Sequence, residues 1–97
     1  MYVLALEVEL RMAGCHSLKE KRAVVKPIVE GSRHRFGVAA AEVGDQDRRQ
    51  FARLGFAAVA SSASHAGAII DEVERFVWSF AELEVCAADR HWMEVAT

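Results

Sequence analysis

The run His-Ser-Leu-Lys-Glu-Lys-Arg at residues 16–22 concentrates five titratable side chains within seven positions. Ser17 and Glu20 have the S-x-x-E spacing of a capping box, in which two side chains satisfy free backbone N–H groups at a helix start. Free N–H groups at a helix N-terminus also attract anions, and His16 is placed to donate to an anion beside them. The alternative for His16 is packing next to the cap as a staple residue.

Four cations fall on one side of the helix that would begin here. At 100° per residue, Lys19, Arg22, Lys26 and Arg33 lie within about 60° of one another. Such a ridge could hold several phosphates, which are the main sequence-independent source of affinity for nucleic acid. The alternative is a solvated face, which Glu30 favours because it can pair with Lys26 one turn away.

Three cations also lie at the positive end of the helix dipole, where they are mildly unfavourable. These are Lys19, Lys21 and Arg22, and a bound anion is one reason to carry them there. The candidate anion- or RNA-contacting residues are therefore His16, Lys19, Lys21, Arg22, Lys26 and Arg33.

The sequence predicts no catalytic residue, metal ligand or cofactor site. It contains no G-x-S-x-G and no P-loop. Its cysteines and histidines do not have the spacing of a zinc site. The two cysteines, Cys15 and Cys86, are expected to stay reduced. These absences favour a non-enzymatic binding protein without a small-molecule cofactor.

Composition indicates one domain spanning residues 1–97. The chain is 53% hydrophobic with net charge −2, which argues against broad attraction to nucleic acid. The charge is uneven, however: residues 1–36 carry +3 and residues 37–97 carry −5. The N-terminus has no basic region of a signal peptide, and apolar runs fall far short of the roughly 20 residues a membrane span needs. We expect a cytoplasmic protein without membrane contact.

Hydrophobic periodicity predicts the order β-α-β-β-α-β. Residues 2–10 alternate as a strand with one buried face, and a helix over 18–36 keeps its apolar phase across Pro27, where we expect a bend. Ser64 is the predicted cap of the second helix. The remaining predictions are strands at about 38–43, 51–61 and 83–88, the last reaching toward Trp92, and a second helix ending near Phe80.

This order is typical of an α+β, ferredoxin-like sandwich with a four-stranded antiparallel sheet and two helices on one face. Right-handed crossovers are expected to place the first and third strands side by side in the middle and parallel to each other, with the second and fourth at the edges. The uncovered sheet face would be partly apolar. Pairing a sheet edge or stacking two open faces would hide these surfaces, so a homodimer is expected.

The sequence resembles the DUF503 family of small bacterial proteins, also called YlxP-like. The matching segments are G-C-H-S-L-K-E-K-R at 14–22, A-E-V at 41–43, Q-D at 46–47, L-G at 54–55, L-E-V at 83–85 and Trp92. The resemblance implies a ferredoxin-like fold and no established biochemical role. Genes of the family often lie near those for translation initiation and for ribosome-binding factor A, which implies RNA or a ribosomal particle as partner.

Departures from the family pattern concern Pro27, Asp45 and the pair Arg48-Arg49, which replaces an apolar or aromatic pair. The open sheet face lacks the row of aromatics that RNA-recognition motifs use, so any RNA contact is expected through the first helix. The competing prediction is a homo-oligomeric protein-binding or scaffold module that uses the uncovered sheet face.

Overall fold

The structure, a computed structural model, describes residues 1–96. Its element order confirms the predicted β-α-β-β-α-β arrangement. The elements are β1 (Tyr2–Arg11), α1 (Leu18–Phe36), β2 (Ala39–Gly44), β3 (Phe51–Ala60), α2 (Ala63–Trp78) and β4 (Glu84–Glu94). The α+β ferredoxin-like fold is therefore confirmed, and helix α1 has the predicted bounds.

The four strands form one sheet in the order β2-β3-β1-β4, and every neighbouring pair is antiparallel. The expectation that β1 and β3 run parallel was wrong. Each helical crossover joins two parallel strands, β1 to β2 and β3 to β4, and leaves a gap one strand wide between them. The gap between β1 and β2 is filled by β3, which must then be antiparallel to both.

The core lies between the sheet and the two helices. On β1, the alternation predicted from sequence is observed, since Leu4, Leu6, Val8 and Leu10 are at most 1% exposed. The facing side chains of β3 are Ala52, Leu54, Phe56 and Ala58. Each fully buried large aliphatic side chain contributes about 1.5–3 kcal/mol to folding, so this pair of central strands contributes a large part of the stability.

Helix α1 starts at the predicted cap. Ser17 Oγ accepts the Glu20 N–H at 3.1 Å, and Glu20 Oε2 accepts the His16 N–H at 2.9 Å. In a capping box Glu20 would accept the N–H of the cap residue Ser17, whereas here it accepts the N–H of His16, the residue before the cap. Helix α1 continues across Pro27 and ends at Gly37, whose φ of 64° is the left-handed conformation that glycine tolerates best.

Most bounds agree with the prediction within one or two residues, and two differences have a clear physical cause. Ser62, not Ser64, caps α2, because Ser62 Oγ accepts the His65 N–H at 3.2 Å and the helix begins at Ala63. Strand β4 also extends to Glu94, past the predicted core of the strand at 83–88 and two residues beyond Trp92, toward which the sequence extended it. Its polar residues do not alternate clearly, but the whole length of β1 up to Tyr2 is available as a pairing partner.

Two helical glycines offer a matched test of packing. A Cβ at Gly67 would meet nothing within 4 Å, so Gly67→Ala is expected to stabilise the fold by about 0.5–1 kcal/mol. A Cβ at Gly31 would lie 2.7 Å from Cζ of Phe76, whose ring is held edge-on by Phe36 and Phe80. Gly31→Ala is therefore expected to destabilise by about 1–3 kcal/mol. Urea unfolding measures both, and equal stabilisation by the two variants would contradict this packing.

Candidate anion-binding face of the first helix

Helix α1 presents a cationic face to solvent. Lys19, Arg22, Lys26 and Arg33 are all exposed, and we call these four residues the α1 basic face. They are exposed because the opposite side of the helix, with Val25, Ile28 and Ser32 among its buried residues, packs on the core. The structure thus brings together four of the six residues proposed from sequence.

The α1 basic face has no carboxylate partner within residues 1–96. Five of the twelve lysines and arginines form ion pairs there, namely Lys21, Arg48, Arg53, Arg75 and Arg90. The pair of Lys26 with Glu30 that the sequence allowed is absent from this set. Five of the seven remaining cations lie on α1, so positive charge available to an external anion is concentrated on this helix.

A groove of about 450 Å³ runs between α1 and the edge strand β2. Arg22, Lys26 and Arg33 line its helix side, while Val29 and Ala41 contribute apolar surface. Arg33 Nη2 also donates to the backbone oxygen of Ala40 at 2.5 Å, which fixes the guanidinium over the strand. The groove therefore offers three cations beside a short apolar wall.

Two carboxylates, Glu30 and Glu42, also line this groove. Glu42 is neutralised by Lys21, whose Nζ lies 3.1 Å from Glu42 Oε1. Glu30 is left to oppose an incoming anion, and it is outnumbered by Arg22, Lys26 and Arg33. The net local charge is positive.

Lys21 does not belong to the α1 basic face. Its side chain is 1% exposed, and its ammonium donates to the backbone oxygen of Asp45 at 2.6 Å. Asp45 has a left-handed φ of 58° at the end of β2, and its carbonyl is fixed by this bond. Lys21 therefore ties α1 to the turn after β2 and is not accessible to a macromolecular ligand.

His16 lies apart from the groove. It is exposed in a separate depression at the N-terminus of α1, together with Cys15 and the pair Arg48 and Arg49. Arg48 stacks 4.0 Å from the centre of the Phe51 ring. Sequence reasoning did not place these arginines beside His16, because they come from the connection between β2 and β3. Of the six proposed residues, Arg22, Lys26 and Arg33 line the groove and Lys19 is exposed on the same helix outside it. His16 lies in a separate depression and Lys21 is buried.

Arg90 on β4 forms an ion-pair cluster away from α1. Its guanidinium lies 2.9 Å from Asp71 Oδ1 and 3.1 Å from Glu74 Oε1, both on α2. Burial lowers the pKa of Arg90, but the hydrogen bonds and charges of Asp71 and Glu74 outweigh it, so the pKa is raised above its ordinary value. This cluster connects β4 to α2. The positive charge of Arg90 is already balanced by two carboxylates, so Arg90 is a poor site for an external anion.

The open sheet face has an apolar half and a charged half. A shallow depression of about 520 Å³ is floored by small residues, which include Ala5, Ala41, Gly55 and Ala57. Beyond it, Arg53 pairs with Glu7 at 3.5 Å and with Glu9. Exposed Val43, Val59 and Met93 edge this surface. Among residues 1–96, no row of aromatics crosses this face, in agreement with the expectation from sequence.

Within residues 1–96, no group of three or more histidine, cysteine or acidic side chains comes together as a metal site. Cys15 is buried and Cys86 exposed, and both are free thiols. No helix in the described part of the chain is long and apolar enough to cross a membrane.

Fold and charge together define a small ferredoxin-like α+β domain that carries a cationic first helix and shallow, open surface depressions. The family model described as "Protein of unknown function (DUF503)" matches residues 3–90, and the chain belongs to this family. It is 37% identical over 86 residues to the uncharacterized protein YlxP of Bacillus subtilis (strain 168), covering 89% of this chain and 94% of that protein. The resemblance seen in the sequence is therefore confirmed.

Proposed function

We propose that this protein is a non-enzymatic, cytoplasmic RNA-binding protein that contacts the phosphate backbone through the α1 basic face. The observation that carries the proposal is the concentration of exposed cations without carboxylate partners on this helix. Most of the other cations are already matched by carboxylates of the same chain. The phosphates of a bound strand would supply the negative partners that Lys19, Arg22, Lys26 and Arg33 lack.

The dimensions of the face suit a nucleic-acid strand better than a small anion. From Lys19 to Arg33 the helix rises roughly 21 Å, at 1.5 Å per residue. Three of the four cations line the groove beside β2. In the described part of the chain, the open sheet face lacks the aromatic platforms that read bases, so the proposed contact is with phosphates and tolerates many sequences. RNA is chosen over DNA because of the genomic neighbourhood of the family.

Salt dependence tests this proposal. If four phosphates are contacted on a single strand, the affinity falls with a log–log slope of about −2.8, or about 50-fold between 50 and 200 mM salt. Fluorescence anisotropy with a labelled single-stranded ribosomal RNA fragment measures this. The proposal is wrong if no binding occurs at the lower salt, or if the affinity does not change across the series.

A second function, a homo-oligomeric protein-binding or scaffold module, is favoured by the open sheet face. The depression around Ala5 and Ala57 is mostly apolar, and Val59 and Met93 beside it are 61% and 60% exposed. A protein partner stacked on this face would bury them. Ala5→Lys would place a charge in the middle of that contact, so a complex formed this way is expected to be lost in size-exclusion chromatography.

A further inference from the structure

The two edges of the sheet are protected to different degrees. Strand β2 is six residues long, has a register shift after Glu42, and has its Ala40 carbonyl occupied by Arg33. Short strands, bulges and flanking cations are the usual devices that prevent edge-to-edge pairing. Strand β4 is eleven residues long, and every residue from 88 to 94 is exposed. It therefore remains open to another strand.

The pairing at the end of β4 determines which of its backbone N–H and C=O groups point away from β1. Met1 and Val95 exchange both backbone hydrogen bonds, at 3.1 and 2.8 Å. Hydrogen-bonded pairs alternate along an antiparallel ladder, so the inward-bonded residues of β4 are Asp89, His91 and Met93. The N–H and C=O groups of Ala88, Arg90 and Trp92 point away from β1, and within residues 1–96 none has a backbone partner.

We propose that two copies of the chain pair antiparallel along β4, with the two-fold axis at Arg90, to form one continuous eight-stranded sheet. In this register the outward groups of Arg90 bond those of Arg90 in the second copy. Ala88 and Trp92 of one copy bond Trp92 and Ala88 of the other. The inference is independent of RNA binding, because β4 lies at the opposite edge of the sheet from the α1 groove.

Charge complementarity favours this register over the one with its axis at Asp89. Residues directly opposite in an antiparallel pair share a face, and an axis at Arg90 sets Asp89 opposite His91 of the second copy, twice. An axis at Asp89 would instead oppose Asp89 to itself, and Glu84 to Glu94. The approach of the two Arg90 side chains is tolerable because Asp71 and Glu74 already hold each guanidinium on its own helix.

Side-chain size agrees with the same register. Trp92 is 53% and Met93 60% exposed, and each would face an alanine of the second copy, Ala88 and Ala87. Large side chains opposite small ones let two strands approach at the normal sheet spacing. Trp78, 61% exposed, lines the depression between α2 and β4 together with Arg90. Apolar surface along this edge would thus be buried by pairing.

Sedimentation velocity at about 50 μM tests the dimer. Ala88→Pro removes an outward N–H and no intrachain ladder bond, so it is expected to give a monomer with an unchanged circular dichroism spectrum. Trp92→Lys, at an exposed position, is a second variant expected to give a monomer should the proline disturb folding. Ala5→Lys is the matched control and is expected to remain dimeric, because it lies on the open face.

A charge-exchange series tests the register. His91→Glu is expected to weaken the dimer at least tenfold, since it sets Glu opposite Asp89 twice. Adding Asp89→Lys is expected to restore the affinity. A monomeric parent protein would overturn the proposal. Loss of the dimer in Ala5→Lys with its retention in Trp92→Lys would also overturn it, in favour of stacked open faces.

Discussion

Reversing two charges of the α1 basic face, Arg22→Glu with Lys26→Glu, is expected to weaken RNA binding about 100-fold at 50 mM salt. Both side chains are exposed, line the groove beside β2 and lack an ion-pair partner within residues 1–96. Two phosphate contacts are lost, and two carboxylates then repel the strand. The log–log salt slope should fall from about −2.8 to about −1.4. Fluorescence anisotropy across a salt series gives both quantities.

A matched variant distinguishes the effect of the α1 basic face on RNA affinity from the effect of the protein's net charge. Arg11→Glu with Arg75→Glu changes the total charge by the same amount on exposed positions outside α1. We expect its RNA affinity to fall less than fivefold and its salt slope to stay unchanged. Equal losses in the two double variants would mean that affinity follows the charge of the whole protein, which would contradict a localised site.

The fold could be predicted because its local signals agree with one another. The alternation on β1, the Ser17 cap and the glycine after α1 each appear within a few residues of sequence. The end of β4 was predicted less sharply, as a strand over 83–88 that reaches toward Trp92, whereas it ends at Glu94. Its residues Asp89, Arg90 and His91 do not resemble a strand, and their structure depends on the pairing with β1, more than eighty residues earlier in the chain.

The site was predicted less well, and Lys21 shows why. The signal for its burial was present: Lys21 is four residues before Val25 and seven before Ile28, which places it on the buried side of the helix. The charge of Lys21 indicates an exposed residue and its helical phase indicates a buried one, and the phase is the better guide here. Its partners could not be foreseen from spacing, because Glu42, Asp45 and Gln46 come from β2 and the turn beyond it.

Lys21→Ala is expected to lower the free energy of unfolding by about 3 kcal/mol, at the lower end of the range for breaking a buried ion pair. The substitution leaves Glu42 without its cation and the carbonyl of Asp45 without its donor, and it opens a cavity under α1. Glu42 is 20% exposed and regains some hydration, which limits the loss. The Tm should decrease by roughly 15 °C in a domain of this size. Thermal unfolding by circular dichroism measures the change.

Lys19 provides the control that separates a structural lysine from a ligand-binding one. It lies two residues from Lys21 on the exposed side of α1, so Lys19→Met should change stability by less than about 0.5 kcal/mol and still lower RNA affinity. Lys21→Met retains most of the side-chain volume, and at a temperature where it is folded it should bind RNA as the parent protein does. We therefore expect opposite effects: the Lys19 substitution lowers RNA affinity without changing stability, and the Lys21 substitution lowers stability without changing RNA affinity. If Lys21→Met lost RNA affinity while fully folded, the buried ammonium would belong to the site after all.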